Sequence, residues 1–366
     1  MNFYALESPR SRCDVSLLEV QVSGKSTFIT FGEIMLRLKS PERQRLFQHP
    51  LLVSSFGGAE ANVAVSLALL GLKSRFITAV PENTVGEACV RELRKYGVDT
   101  SAVRRVRNSR LGIYFLEPGA DQRPSVVIYD REGSAVSQAS PEDFGFPAQM
   151  QDACWLHLSG ITPAVSGNLA DCARTAAREA RKAGASVSLD LNFRKKLWNY
   201  GKKAQEVMPS LAELADVVIA NETDIQNSLG IGTGDGKAVQ TPEGYLDLAS
   251  RVKARFPQVS VVAVTVRESL SADRNRWSAV LCGKSGSWVS RCYEIADIVD
   301  RVGAGDAFAA ALIYGLTQFQ GDEKRALDFA AAASCLKHSV EGDFNLSTAA
   351  EIAALCAGDG AGEILR

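Results

Sequence analysis

Histidine is scarce, with three in 366 residues, and none of the eight cysteines (Cys13, Cys89, Cys154, Cys172, Cys282, Cys292, Cys335 and Cys356) shares a CxxC pair. This excludes the clustered spacing of a structural zinc site and fits reduced, mostly buried thiols rather than a disulfide framework. No run of eighteen apolar residues occurs, and the N-terminus lacks the apolar region of a signal peptide. Both absences point to a cytoplasmic protein. Neither sign of charge is in excess, with 41 basic against 42 acidic residues and a net charge of -1. Nothing global therefore favours nucleic acid or an anionic membrane, and any anion site must be local.

What is present is an apolar content of 46% over a length able to bury a large α/β core with an accessory element. Residues 1–26 match no recognisable element and read as a leader, although Leu17, Leu18 and Val20 could add an edge strand. From Thr27, short β-branched runs alternate with helix-period runs, the mark of βαβ units and a mainly parallel sheet. The runs at Thr27–Gly32, Arg75–Val80, Trp155–Ser159, Ser186–Leu191, Val217–Ala220 and Val261–Val266 are expected to be strands. Helices are expected at 59–70, 85–96, 167–182, 203–214 and 244–255, and after Asp306 to 316, from 323 to 337 and near 348–355. Two stretches break this rhythm. Met35–Leu38 with Val53–Phe56, and Gly112–Leu116 with Val126–Tyr129, read as antiparallel pairs that form a small β-lid.

The most informative string is DRVGAGDAF at 300–308, where Asp306 follows a Gly-Ala-Gly turn and opens an apolar helix pattern. Gly303 and Gly305 let the backbone turn with its N–H groups bare, and the helix adds unpaired donors and the positive end of its dipole. Such a turn holds an anion. An acid placed there would repel a static phosphate, but it suits a base that takes the proton of a hydroxyl attacking one. An ordinary capped helix would read the same way on spacing alone. Two other phosphate motifs fail: Phe308 stands where a dinucleotide fingerprint needs Gly or Ala, and the Walker-like Gly236-Lys237 has Ile231 and Ala238 at its essential positions.

DRVGAGDAF resembles the C-terminal signature of the ribokinase/phosphofructokinase-B sugar kinases, with Asp300-Arg301 where the family usually has Asp-Thr. SFGGAEANVAVSLALLG at 55–71 resembles the sugar-binding motif near the N-terminus of that family, and two motifs in order are far more specific than one. SLDLNFRKKLW at 188–198 is similar to the DxNxRxxLW segment of the 2-keto-3-deoxygluconate kinases within it. The resemblance implies a three-layer ribokinase-like α/β fold over 27–366, with helices on both faces of a mainly parallel sheet and lid strands near 35–56 and 112–130.

It also implies site roles. Asp306 is the expected base, with Gly303, Ala304 and Gly305 around the transferred phosphoryl group. Gly57, Gly58, Asn62, Tyr114, Tyr129, Arg131, Asn192 and Arg194 are expected on the substrate, the two arginines pairing with a sugar-acid carboxylate. Two arginines left unpaired in a neutral-sugar pocket would cost several kcal/mol, so a fructokinase or ribokinase activity is the second reading. A non-catalytic sugar-acid or nucleotide sensor is the third. Asn221, Thr265, Arg267, Lys337 and Asn345 are expected on the nucleotide, with Asp224 reaching Mg²⁺ through water. The connection around RESLSADRNRWSA lacks the glycine turn common in the family and reads as a rigid connector, while SCLKHSVEGDFN is expected to close over adenine with His338 merely packed. The implied reaction is ATP- and Mg²⁺-dependent phosphorylation of the primary hydroxyl of 2-keto-3-deoxygluconate, by a homo-oligomer paired through its lids.

Overall fold

The five residues Thr27–Phe31 are buried along their whole length, as a strand covered on both faces must be. This strand, β1, lies inside the main sheet of the computed structural model, which describes residues 25–232 and 239–358. The leader up to residue 24, with its possible edge strand, and the Gly236-Lys237 pair lie outside the described residues. The other strands are β2 (Met35–Lys39), β3 (Val53–Gly57), β4 (Ser74–Pro81), β5 (Val103–Val106), β6 (Ile113–Glu117), β7 (Val126–Asp130), β8 (Ala153–Ser159), β9 (Ser186–Asp190), β10 (Val217–Ala220), β11 (Val261–Ser269), β12 (Asn275–Cys282), β13 (Ser287–Val289) and β14 (Tyr293–Ile295). The helices are α1 (Ala59–Leu69), α2 (Thr84–Lys95), α3 (Phe146–Gln149), α4 (Ile161–Val165), α5 (Gly167–Lys182), α6 (Ala204–Ala212), α7 (Glu222–Leu229), α8 (Pro242–Arg255), α9 (Ala304–Gln318), α10 (Glu323–Lys337) and α11 (Ala349–Ala357).

The main sheet runs β13-β12-β11-β10-β9-β8-β1-β4-β5, with β14 also paired to β12. Every pairing from β5 to β11 is parallel, and β12 to β14 add an antiparallel edge. Side chains alternate between two cores. Val218 and Ala220 join Leu169, Met208 and Leu248 of α5, α6 and α8 on one face. Val217 and Ile219 join Leu67, Phe308 and Leu327 of α1, α9 and α10 on the other. Helices α9 and α10 are rich in alanine and touch closely, for a Cβ on Gly315 would lie 2.6 Å from Ala326 Cα. The strands and longer helices fall where the sequence periods place them.

The RESLSADRNRWSA segment, expected as a rigid connector, is the turn and facing ends of two paired strands. β11 runs on to Ser269 and turns into β12, in register from Val262↔Cys282 to Ser269↔Asn275. Its alternating side chains, Arg267 inward and Glu268 outward, give a strand pattern that the missing glycines obscured. The four-stranded second sheet runs β3-β2-β6-β7, its two antiparallel pairs joined by a parallel β2–β6 contact. Arg37, Tyr114 and Tyr129 stand side by side across it. Its other face exposes Val126 and Ile128, with Phe47 against Phe115. No described helix is long and apolar enough to cross a membrane, and the seven described cysteines are all free thiols.

Candidate active site

Ligands of an open α/β sheet bind beyond the carboxyl ends of its strands, and a cavity of about 620 Å³ lies there, beneath the inner face of the small sheet. Each strand delivers a short polar run to it. β9 supplies Asp190, Asn192 and Arg194, β10 leads to Asn221 and Asp224, and β11 carries Thr265 and Arg267. From the small sheet come Tyr114 and Tyr129, from α1 Gly58 and Asn62, and from the start of α9 Gly303, Ala304, Gly305 and Asp306. Most of the residues expected to act together are thus neighbours.

Helix α9 begins without a side-chain cap, because Gly303 at φ 83° turns the chain directly into it. Ala307 N–H reaches back to the Gly303 carbonyl at 2.8 Å, which leaves the Gly305 and Asp306 N–H groups as donors toward the cavity. Asp306 is buried and accepts from Asn62 Nδ2 at 2.6 Å. Asn62 Oδ1 in turn accepts from Gly58 N–H at 3.2 Å, so the amide expected to reach a sugar hydroxyl is first of all the group that orients Asp306. Burial pushes Asp306 up to about 6, with the negative charge of Asp343 adding to the rise.

The surrounding acids divide by environment. Glu60, accepting from Thr162 Oγ1 at 2.6 Å and Ser159 N–H at 3.1 Å, is pushed up to about 8 by burial. Asp190 is held well above the carboxylate range by burial and by the charges of Asp224 and Asp306. Burial thus favours the protonated form most strongly at Glu60 and Asp190, and less so at Asp306 and at Asp224, which burial likewise pushes up to about 6.

Against these stand three arginines that line the cavity: Arg194, Arg267 and Arg301. Arg194 donates to the Phe193 carbonyl at 3.0 Å and Arg301 to the backbone of Ser271 and Ala272. Among the described residues none of the three sits in an ion pair. Burial pushes the Arg267 guanidinium down, and the like charges of Arg301 and Arg194 push it further. Arg194 and Arg267 are exposed with the charge of Asp224 near both, and Asp273 and Asp300 act on Arg301, so the cluster presents a positive surface that suits an anionic ligand.

Other expected residues lie elsewhere. Arg131 does not line the cavity. Its Nε donates to Glu33 at 2.7 Å and an Nη joins the same carboxylate, in a buried pair beside the Tyr129 ring. Two-residue spacing put it on the face of Tyr129, but β7 ends at Asp130 and Arg131 folds back onto the acid that follows β1. Gly57 is also off the cavity, and a Cβ there would meet the Asp343 carboxylate at 2.0 Å. Lys337 is fully buried, its ammonium donating to the Val340 carbonyl at 2.9 Å and the Asp300 carbonyl at 3.4 Å, and burial pushes it down to about 8. Asn345 is tied into its own turn, accepting from Ser347 N–H at 3.2 Å. Tyr114 lines the cavity with its ring, yet its hydroxyl already donates to Asp343 Oδ1 at 2.5 Å. Asn221 caps α7, accepting from Asp224 N–H at 2.9 Å. His338 forms part of the wall as a neutral ring, bonded to the Ser334 carbonyl at 2.7 Å and pushed down to about 4 by burial.

Asp343, Arg301 and Trp277 line the cavity although the sequence reading gave none of them a role. For Arg301 a signal existed, since it is the residue that departs from the usual Asp-Thr. For Asp343 it was the EGDFN string, read toward Asn345 instead. Among the described residues no three of His, Cys, Asp and Glu gather as a metal cage. Asp224 remains the acid suited to an ion held mainly by phosphate oxygens and water, one of its oxygens accepting from Phe193 N–H at 3.1 Å.

Known proteins resemble the chain over most of its length. The model of the pfkB family of carbohydrate kinases matches residues 25–349. A 2-dehydro-3-deoxygluconokinase structure from Thermotoga maritima is 45% identical, with a TM-score of 0.86 over 91% of this chain and 100% of that one. A 2-dehydro-3-deoxygalactonokinase of Haloferax volcanii is 33% identical over 91% of this chain and 98% of its own length. A 2-dehydro-3-deoxygluconokinase of Bacillus subtilis is 30% identical over 79% and 82%. With its glycine turn, its buried carboxylate and its ribokinase-like sheet, the chain belongs to the pfkB family of carbohydrate kinases, phosphotransferases that act on an alcohol group.

Proposed function

We propose that this kinase transfers the γ-phosphoryl group of ATP to the primary hydroxyl of 2-keto-3-deoxygluconate (2-dehydro-3-deoxygluconate), giving 2-keto-3-deoxy-6-phosphogluconate. The observation that carries the reading is the meeting of one buried, oriented acid, Asp306, with three arginines that form no direct ion pair among the described residues, in the same cavity. Asp306 takes the proton as the hydroxyl attacks, and the Gly305 and Asp306 N–H groups meet the charge growing on the phosphoryl oxygens. Arg267 and Arg301 face the nucleotide phosphates, with Asn221 and Thr265 beside them, and Arg194 takes the sugar-acid carboxylate. Mg²⁺ bound with the nucleotide supplies further neutralisation of phosphate charge, with Asp224 acting on it through water. Tyr114, Tyr129 and Asn192 shape the acceptor side. Arg131, already neutralised by Glu33, supports Tyr129 rather than the carboxylate.

The names of the relatives support a keto-deoxy acid as the acceptor and leave its C4 configuration as the point to test. An ADP-release assay with 2-keto-3-deoxygluconate, its galactonate epimer, fructose and ribose decides it. A kcat/KM for the gluconate at least tenfold above every other acceptor supports the assignment, and preference for a neutral sugar overturns it. The apolar outer face of the small sheet, with Val126 and Ile128 exposed, is assigned to a second copy of the chain.

A further inference from the structure

Arg37 is among the most deeply buried side chains in the molecule, although it is an arginine on the small sheet. Its Nη1 donates to Asp343 Oδ1 at 2.6 Å, and its Nη2 joins Asp300 Oδ2. Burial works against the charge, but Asp343 and Asp300 hold the guanidinium above its ordinary value. Each acid is bound in turn to a different part of the site. Asp300 Oδ1 accepts from Val302 N–H at 3.1 Å at the entrance to the glycine turn, and its Oδ2 accepts from Gly342 N–H at 3.2 Å. Asp343 lies between two glycines. A Cβ on Gly57, at the end of β3, would lie 2.0 Å from its carboxylate, and one on Gly303, in the turn, 2.0 Å from its carbonyl. The Tyr114 hydroxyl closes the set on the same Oδ1 that Arg37 holds. Three strands of the small sheet (β2, β3 and β6) therefore meet the phosphoryl-binding turn through one residue.

We propose that Arg37, Asp300 and Asp343 form a joint that makes closure of the small sheet over the sugar and alignment of the Gly303–Asp306 turn a single event, with Arg37 as its positioning residue. Arg37 does not line the cavity and touches no substrate. It acts through Asp343, which does line it, and through Asp300, which sets the path of the chain into the turn. A sugar that presses Tyr114 moves Asp343, and Asp343 cannot move without Gly303.

The test compares wild type with Arg37→Met, Arg37→Lys, Asp343→Asn and the Arg37→Met/Asp343→Asn double variant, using whichever acceptor wild type phosphorylates best. It is thus independent of the acceptor assigned above. Circular dichroism and thermal melts establish that each variant is folded at the assay temperature. The joint predicts that Arg37→Met lowers kcat at least 30-fold with the nucleotide KM changed less than threefold. Arg37→Lys, which keeps the charge but loses the two-pronged contact, recovers about tenfold of that loss. The ratio of acceptor-dependent transfer to nucleotide hydrolysis by water falls tenfold in Arg37→Met, a readout that mere loss of stability would not move. The double variant loses no more than the worse single one. A folded Arg37→Met with kcat within twofold of wild type, or losses that multiply in the double variant, overturns the joint. Should Arg37→Met fail to fold, Arg37→Lys decides alone: unchanged kcat and unchanged transfer-to-hydrolysis ratio overturn it, and a fall in both supports it.

Discussion

Replacing Asp306 with asparagine should move activity and stability in opposite directions. The carboxyl titrates near 6 in the folded protein against 3.8 when unfolded, because burial disfavours its charge. Between those values the folded state holds a proton that the unfolded state has released, so wild-type stability falls as pH rises from about 4 to 6 and stays lower above that. A rise from 3.8 to about 6 corresponds to about 3 kcal/mol, each tenfold change in proton affinity being worth about 1.4 kcal/mol. Asparagine keeps an acceptor for Asn62 Nδ2 and carries no charge to desolvate. In urea titrations at pH 8 the variant should therefore be more stable than wild type by up to about 3 kcal/mol, with the difference vanishing near pH 4. Turnover in the same preparation should drop by about 10²–10⁴, the usual contribution of a general base. A variant that is no more stable at pH 8, or that keeps kcat within tenfold of wild type, would refute the reasoning.

Three further outcomes follow from the same cavity. Arg194→Ala should raise KM for a sugar acid at least tenfold while changing that for a neutral sugar less than threefold, which steady-state kinetics with both acceptors will show; equal effects would remove the carboxylate assignment. The kcat/KM profile should lose activity as pH falls through about 6, where Asp306 becomes protonated, and an acid limb near 4 would mean that another group is the base. Ile128→Glu, on the exposed face of the small sheet, should shift the assembly toward monomer in sedimentation velocity, and an unchanged sedimentation coefficient would reject that face as the contact.

The parts of the molecule legible in its sequence are those governed by local periodicity. β1, β8, β9 and β10 are short apolar-rich runs buried nearly end to end because both faces of the sheet are covered, and α5 shows its stripe because one side meets solvent. Asp306, Asn62 and Arg194 were legible because glycine turns and strand ends put polar residues where the fold has its cleft. Pairings between distant segments were not. Nothing local to Arg131 announces that Glu33, ninety-eight positions earlier, will neutralise it. Lys337 and Asn345 have the right chemistry for phosphate and adenine, yet backbone groups nearby take their hydrogen-bonding capacity first. Asp343 was hidden for the converse reason: its importance comes from four partners scattered between residues 37 and 303.

The near contact of Gly315 with Ala326 carries an implication for inherited variation. Position 315 lies nine residues beyond Asp306 on one rigid helix, roughly 14 Å along its axis at 1.5 Å per residue. A methyl group there has no room, so α9 must slide or tilt away from α10, and the Asp306 carboxylate is carried with it. A mild-looking glycine-to-alanine allele in the alanine-rich layer would then present as a slow enzyme with sound ligand affinity, a lesion whose cause no inspection of the active-site walls would reveal.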